Sequence, residues 1–291
     1  MNQARKLREL LAKDEIIMAP GAYDVWSARL IEQAGFPAVY LTGYGVSASA
    51  LGMPDIGLMS FQEILNVVKN MAAAVEVPLI ADADNGYGNV LNVVRTVREY
   101  ERAGAAGIQL EDQVTPKRCG HMEGKELISK EEMTAKIRAA VYAKENPDTV
   151  LIARTDAVAV NGFEDAIDRA IAYRQAGADV LFIEAMQKRE QVETAGRLVQ
   201  APLFANMVEG GKTPLYPADQ LYEMGFRIVI YPVSALYTAT KAVREALGLL
   251  RLRGDLTQIL PMAESFQNFN DMIGLSGYRE LERRLTEPPV G

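Results

Sequence analysis

The pattern that decides the fold is clearest at residues 102–110, RAGAAGIQL, where a helix-ending glycine leads almost directly into an apolar strand. Glycine suits the left-handed backbone that commonly ends a helix, because it has no Cβ to clash there. The apolar run that follows is continuous, as expected for a parallel strand buried on both faces. The same succession recurs at residues 33–41, 175–183 and 223–231. It predicts helices alternating with parallel strands.

Further apolar segments complete a regular series. They lie at residues 16–19, 78–81, 150–153 and 202–205, and amphipathic segments such as 60–74 and 89–103 separate the strands. Eight β/α units without a linker predict a (β/α)8 TIM-type barrel in residues 1–254, with a C-terminal helical extension in residues 255–291. A doubly wound open sheet is the alternative, but residues 18–23 lack its glycine-rich fingerprint.

Composition narrows the class of protein. The chain has 291 residues, 49% of them hydrophobic, and a net charge of −7, which argues against a nucleic-acid partner. A single cysteine excludes an intrachain disulfide and fits a reducing cytoplasm. The first residues lack an apolar signal core, and no apolar run approaches the length that crosses a bilayer. We expect a cytoplasmic protein without a membrane partner.

The only cysteine and the only histidine lie in one pentapeptide, Lys117-Arg118-Cys119-Gly120-His121. The two neighbouring cations are expected to favour the thiolate and lower the pKa of Cys119, and imidazole exchanges protons near neutrality. The alternative is a surface loop with a structural cysteine and a solvated basic pair. The pentapeptide indicates a catalytic loop.

Polar side chains follow the predicted strands, where barrel enzymes carry their chemistry. Asp82, Asp84 and Glu111 would repel one another at this edge unless a cation lay between them, and oxygen ligands suit a hard ion such as Mg²⁺. An ion-pair network with Lys117, Arg118 and Arg154 is the alternative. Further polar strand ends are Thr42 to Gly45, Arg154 to Asp156, Glu184, Asn206 and Tyr231-Pro232, and the glycine pair at 43 and 45 is typical of an anion-binding nest.

These motifs resemble those of the isocitrate lyase and phosphoenolpyruvate mutase superfamily. The resemblance spans nearly the whole chain and is carried by residues 81–88, 110–113, 117–121, 153–157 and 206–214. It implies a Mg²⁺-dependent barrel, for which Mn²⁺ can substitute, that acts on small keto- or hydroxycarboxylates. It also implies a homotetramer in which neighbouring subunits exchange a C-terminal helix, here residues 278–285.

The resemblance also implies roles for individual residues. Asp82 and Asp84, with Asp55 and Glu111 through water, would hold the metal ion. Cys119 would give a proton to the departing carbon, with His121 and Glu184 adjusting its acidity, and Tyr40 is a candidate base. The expected substrate-binding residues are Thr42, Gly43 and Tyr44 through their backbone N–H groups, Gly120, Arg154, which would also neutralise developing charge, Asn206, Thr213, Pro232 and Tyr237.

The predicted reaction is carbon–carbon cleavage of a substituted malate. Tyr237 and Phe266 stand where 2-methylisocitrate lyases are expected to carry arginines, and an unpaired buried carboxylate is costly. Pro232 stands where oxaloacetate hydrolases are expected to place a serine. The best substrate is therefore (2R,3S)-2,3-dimethylmalate, yielding pyruvate and propionate. The alternatives are a 2-methylisocitrate lyase, a carboxyphosphonoenolpyruvate or phosphonopyruvate mutase, and an inactive binding protein.

Overall fold

A computed structural model describes residues 2–286. Within these residues eight strands form a closed barrel in chain order, each parallel to its neighbours, with β8 paired to β1. The strands are β1 Ile17–Ala22, β2 Val39–Leu41, β3 Leu79–Asp82, β4 Gly107–Glu111, β5 Val150–Thr155, β6 Val180–Ile183, β7 Leu203–Asn206 and β8 Phe226–Tyr231. The predicted (β/α)8 barrel is confirmed.

Helices follow the strands, and several β–α connections carry short additional helices. They are α1 Gln3–Leu11, α2 Val25–Gln33, α3 Gly43–Val46, α4 Phe61–Ala74, α5 Val90–Ala103, α6 Lys130–Ala143, α7 Ala157–Val160, α8 Phe163–Gln175, α9 Arg189–Leu198, α10 Ala218–Glu223, α11 Ser234–Arg253, α12 Phe266–Met272 and α13 Leu275–Thr286. A π-helix at Ser47–Leu51 and a 3₁₀ turn at Leu260–Met262 complete the set. No helix of the described residues is long and apolar enough to span a membrane.

The ends of α4 and α5 show why the local pattern was informative. The Ser60 hydroxyl accepts a hydrogen bond from the Glu63 N–H, and the Glu63 carboxylate accepts one from the Ser60 N–H at 2.8 Å. This reciprocal capping satisfies two backbone donors that a helix start leaves open. Helix α5 ends at Ala103 and is capped by Gly104, whose φ of 98° is strained for any residue with a Cβ.

The barrel has two apolar cores. One lies between the strands and the surrounding helices, and the other fills the amino-terminal half of the barrel interior. Helix α1 closes this amino-terminal half, which we term the lower half. Its Leu7 is fully buried, and a Cβ built on Gly107 would lie 3.1 Å from the Leu7 Cδ2. The carboxyl ends of the strands, which we term the mouth, carry the polar residues.

The chain divides into two compact units, and the first ends at Leu236, inside α11. The predicted boundary lay at residue 254, where this helix ends. No residue of α11, α12 or α13 is buried. Within residues 255–286 the structure has α12 and α13, and residues 287–291 of the predicted extension lie outside the described residues. The predicted domain division and the exchange between subunits stay predictions.

Candidate active site

The predicted acidic residues come together at the mouth. Asp82 ends β3, Glu111 ends β4, and the Asp84 N–H donates to the Asp82 Oδ1 at 3.1 Å. A Cβ built on Gly43 would lie 3.0 Å from the Asp82 Oδ2 and 3.7 Å from the Asp84 Oδ1. The start of α3 therefore packs directly on the aspartate pair. We term Asp82, Asp84 and Glu111 the acidic cluster.

A lysine of the pentapeptide neutralises part of this charge. The Lys117 Nζ lies 2.7 Å from both the Asp55 Oδ1 and the Asp84 Oδ1. Burial would lower the pKa of Lys117, but these carboxylates raise it well above its ordinary value. The ion-pair network considered as an alternative thus exists for Lys117. Among residues 2–286 Arg118 makes no ion pair with these carboxylates, and its guanidinium donates to the Glu123 carbonyl at 3.3 Å.

The carboxylates at the mouth fit a Mg²⁺ ion that retains several water molecules among its ligands. Burial and the neighbouring Asp84 raise the pKa of Asp82 to about 6, and the buried Glu111 Oε1 has no hydrogen-bond partner among residues 2–286. In the part of the chain described, no three Asp, Glu, His or Cys side chains converge as a closed metal site. Mg²⁺ commonly takes only one or two protein carboxylates. Asp82 is the best candidate because it makes no ion pair with Lys117 among the described residues. Asp84 is the second, because it lies beside Asp82 at the start of α3, although Lys117 binds it as it binds Asp55.

Arg154 joins the acidic cluster to the rest of the mouth. Its guanidinium makes two hydrogen bonds to Asp156, at 3.0 and 3.1 Å, and lies 3.5 Å from Glu111 and 3.4 Å from Glu184. It also stacks over the Phe182 ring at 5.1 Å. These contacts hold the cation in one orientation.

The cysteine loop, residues 117–121, closes onto this arginine. A Cβ built on Gly120 would lie 2.2 Å from the Arg154 Nη2 and 2.8 Å from the Glu184 Oε2. Only glycine allows the loop to approach so closely. The prediction that Gly120 and Arg154 share a site is consistent with this contact.

The predicted lowering of the Cys119 pKa is wrong. Burial raises it to about 11, although a hydrogen bond from the His121 backbone N–H and the charge of Arg154 act in the opposite direction. The two adjacent cations do not help, because Lys117 is paired with aspartates and Arg118 reaches Glu123. Cys119 is therefore a neutral thiol, which can give a proton.

His121, Glu184 and Asn206 form one hydrogen-bonded group. The Asn206 amide donates to the Glu184 Oε2 at 3.0 Å and lies 3.4 Å from the His121 Nε2, with which it forms a second hydrogen bond. The His121 Nε2 is also 3.6 Å from the Glu184 Oε1. The His121 Nδ1 accepts from the Lys212 N–H at 3.2 Å, and burial lowers the pKa of the imidazole. Because its pKa is lowered, the histidine is neutral. Thr213 lines a small recess beside Glu184 and Asn206.

The predicted carboxylate clamp at α3 has fewer donors than expected. The Thr42 N–H donates to the Ala22 carbonyl at 3.1 Å, so it belongs to the pairing of β1 and β2. The Thr42 hydroxyl instead caps α3 by accepting from the Gly45 N–H at 3.4 Å. Gly43 and Tyr44, in the first turn of α3, remain the predicted donors.

Tyr40 does not have the environment of a base. Its buried hydroxyl donates to the Gln109 Oε1 at 3.1 Å, and the Gln109 amide donates to the Asp82 Oδ1 at 3.3 Å. Burial and the charge of Asp82 raise the pKa of Tyr40 well above 10. A phenolate is disfavoured there, and the tyrosine instead helps to orient Asp82.

The residues expected to select the substrate lie in different parts of the chain. Pro232 follows β8 and is buried, with its backbone against Gly21. Tyr237 and Phe266 belong to the second compact unit, where their side chains are 42% and 88% exposed. Their place in a substrate pocket stays a prediction.

The sequence reading missed a set of supporting residues. Asp156 binds Arg154, Lys125 and Gln113, yet it had been noted only as a polar residue after β5. Lys125 lies in an irregular segment with no motif of its own. The only sequence signal that could have identified Lys125 is its short distance along the chain from the cysteine loop.

Comparison with known proteins places this chain in a family. The family model described as phosphoenolpyruvate phosphomutase matches residues 7–250. A 2,3-dimethylmalate lyase of Eubacterium barkeri is 48% identical over 97% of this chain and 98% of its own. A 2-methylisocitrate lyase of Aeropyrum pernix is 47% identical over 97% of this chain and 89% of its own.

Comparison with solved structures gives the same family as comparison with these relatives. A crystal structure of a 2,3-dimethylmalate lyase has a TM-score of 0.93 at 39% identity, covering 98% of this chain and 96% of that one. An oxaloacetate acetylhydrolase with the inhibitor 3,3-difluorooxalacetate has a TM-score of 0.93 at 39% identity, covering 99% and 98%. A phosphonopyruvate hydrolase complex with oxalate and Mg²⁺ has a TM-score of 0.89 at 32% identity, covering 99% and 100%. The chain is an enzyme similar to these lyases, and it belongs to the isocitrate lyase and phosphoenolpyruvate mutase superfamily.

Proposed function

We propose that this enzyme is a Mg²⁺-dependent carbon–carbon lyase that cleaves 2,3-dimethylmalate to pyruvate and propionate. The observation that carries the proposal is the neutral thiol of Cys119, held on a loop that packs against Arg154 and Glu184. A partly buried acid at the mouth can supply the proton that a departing carbon requires.

The reaction balances with these groups. The C2 hydroxyl loses its proton, the C2–C3 bond breaks, and C2 becomes the keto carbon of pyruvate. The bonding electrons pass to C3 and its carboxylate, and C3 takes the thiol proton of Cys119 to give propionate. Glu111 has a raised pKa and an Oε1 without a hydrogen-bond partner in the described part of the chain, and it is our candidate acceptor for the hydroxyl proton.

The remaining residues bind and orient. Asp82 and Asp84 would hold Mg²⁺, or Mn²⁺ in its place, and the bound ion would supply Lewis-acid stabilisation of negative charge on the keto-acid oxygens. The Gly43 and Tyr44 N–H groups would hold the adjacent carboxylate, and Arg154 would stabilise developing charge. A solved relative that contains oxalate and Mg²⁺ supports this assignment.

The choice of substrate rests on the absence of cations at two positions. Neither Tyr237 nor Phe266 offers a cation to a distal carboxylate, whereas a methyl group suits an aromatic surface. The name of the relative from Eubacterium barkeri supports the same substrate. Pro232 offers no hydroxyl to activate water, which argues against the hydrolysis of oxaloacetate.

A second candidate is 2-methylisocitrate cleavage, because the relative from Aeropyrum pernix is almost as similar. Pyruvate release from both substrates and from a panel of 2-substituted malates, with Mg²⁺ present, decides between them. Faster turnover of 2-methylisocitrate than of 2,3-dimethylmalate would overturn the first choice. Turnover of a phosphonate substrate alone would favour a mutase.

A substitution in the second unit tests the pocket. Tyr237→Arg, alone or with Phe266→Arg, should raise kcat/KM on 2-methylisocitrate and lower it on 2,3-dimethylmalate. The wild-type preference should be roughly fivefold to more than a hundredfold, which corresponds to about 1–3 kcal/mol for an unpaired carboxylate. An unchanged ratio of the two kcat/KM values would remove Tyr237 from the pocket.

We also propose that the enzyme is a cytoplasmic homotetramer exchanging residues 278–285 between neighbours. Leu281 and Leu285, on this segment, are exposed in the single chain. Light scattering at micromolar concentration tests the assembly, and a chain shortened after residue 274 should fail to form the tetramer.

A further inference from the structure

Two side chains outside the predicted catalytic set bind the backbone on either side of Cys119. The Lys125 ammonium donates to the Gly120 carbonyl. The Gln113 amide donates to the Arg118 carbonyl at 2.8 Å, and its oxygen accepts from the Arg118 N–H at 2.9 Å. The thiol-bearing residue is thus held from both directions along the chain.

Both side chains meet at one buried carboxylate. The Lys125 Nζ lies 2.7 Å from the Asp156 Oδ1, and the Gln113 Nε2 donates to the Asp156 Oδ2 at 3.2 Å. The same carboxylate binds the Arg154 guanidinium. Asp156 therefore couples the position of the cysteine loop to the arginine that the loop packs against.

The Asp112 carboxylate in turn holds Asp156 and the residue before it in place. The Asp112 Oδ1 accepts from the Asp156 N–H at 3.0 Å, and the Asp112 Oδ2 accepts from the Thr155 and Tyr173 hydroxyls, each at 2.7 Å. The Arg169 guanidinium donates to the same Asp112 oxygen at 3.1 Å. The end of β5 is thus a rigid base for the loop.

Because Lys125 carries a buried charge, opening of the cysteine loop would be unfavourable for this side chain. Its side chain is almost fully buried, and its described partners are Asp156 and the Gly120 carbonyl. If the loop moved away, the ammonium would lose the carbonyl while remaining beside Asp156, and an unsatisfied buried donor is unfavourable. Lys125 therefore favours the closed loop.

We propose that Lys125 and Gln113 are positioning residues that latch the cysteine loop closed and hold the Cys119 thiol at the mouth. The effect on turnover rests on the proposed function. The latch itself is a property of the loop and can be measured without substrate.

The test uses the only thiol of the chain. Iodoacetamide labels Cys119 alone, and this residue is only partly buried with the loop closed. An increase in the labelling rate constant over that of wild type at fixed pH therefore reports opening of the loop. Lys125→Met should raise that rate constant by about tenfold or more, because a charge-assisted hydrogen bond is lost. Loss of a nearby cation would, if anything, raise the thiol pKa and slow labelling, so faster labelling identifies opening rather than electrostatics.

Lys136→Met is the matched control. Lys136 is also buried and donates to a backbone carbonyl, that of Asn85, in another loop at 3.0 Å. Its loss should leave labelling of Cys119 within about twofold of wild type, while Lys125→Arg should restore slow labelling. Equal acceleration in Lys125→Met and Lys136→Met would show general loosening and overturn the proposal, as would unchanged labelling in Lys125→Met.

Gln113→Leu provides a second variant if Lys125→Met does not fold. It should also accelerate labelling, and an unchanged rate in that variant would overturn the latch. In turnover, Lys125→Met should lower kcat more than it changes KM, with rescue by Lys125→Arg. Inactivity of the wild type on every malate would contradict the proposed function and leave the labelling result standing.

Discussion

The two halves of the barrel interior differ sharply in chemistry although the same strands build both. The lower half is closed by α1 and filled by apolar side chains such as Leu7, Ile80 and Phe204. The mouth concentrates carboxylates and cations, including Asp82 at the end of β3 and Arg154 near the end of β5. The chain of hydrogen bonds from Tyr40 through Gln109 to Asp82 lies where the two halves meet.

This difference separates stability from catalysis. Apolar burial in the lower half contributes free energy of folding in proportion to the area removed from water. Desolvated carboxylates at the mouth oppose folding, since burial is the main cause of the raised pKa values of Asp82 and Glu111. Substitutions at the two ends should therefore affect different measurements.

The largest effect on turnover is expected for Asp82→Asn. The amide keeps the size and the acceptor for Gln109 but removes a metal-binding charge, so activity should fall to background. The midpoint of urea unfolding should stay equal or rise, because a buried carboxylate is lost. Asp168→Asn, at an exposed acid, is the control. Full activity in Asp82→Asn, or in wild type with a chelator, would contradict the metal assignment.

Cys119→Ser should come next. A hydroxyl is a far weaker acid than a thiol, so kcat should fall by about a hundredfold or more, within the range of general acid catalysis. KM and the unfolding midpoint should remain near those of wild type. Near-normal turnover would transfer the proton donor to His121 or to water.

Gly120→Ala should have a smaller effect. The added methyl group would meet the Arg154 guanidinium and Glu184, so the cysteine loop should be displaced outward. We expect kcat to fall by roughly tenfold, since small misplacements of catalytic groups are costly. Gly248→Ala, where a Cβ would meet nothing, should leave kcat unchanged. If Gly120→Ala and Gly248→Ala were equally active, the position of the cysteine loop would have no effect on catalysis.

Leu7→Ala, in the lower half, should have the smallest effect on turnover. It should lower the free energy of unfolding by about 2–5 kcal/mol, the usual result of truncating a buried leucine. The kcat per folded molecule should stay within about twofold of wild type. Leu91→Ala, at an exposed position, is the stability control. A large loss of kcat in Leu7→Ala would show that the two halves are coupled.

Strands and helix ends were accessible from the sequence because their causes are local. An apolar run such as residues 107–110 forms a buried parallel strand, and the glycine at 104 adopts the positive φ expected of it. The strand ends then brought Asp82 and Glu111 to the mouth as predicted. The end of the first compact unit at Leu236 was not accessible, because α11 continues through it without a break in helical pattern.

The chain alone therefore determined the barrel, the family and the identity of most residues at the mouth, since periodicity, glycine positions and motifs are written along the chain. Only the tertiary structure decided which charges meet. Lys117 is next but one to Cys119 in sequence, yet it pairs with Asp55 and Asp84, and burial leaves the thiol neutral. Protonation depends on desolvation and on distances between residues far apart in the chain, and neither can be read from neighbours in sequence.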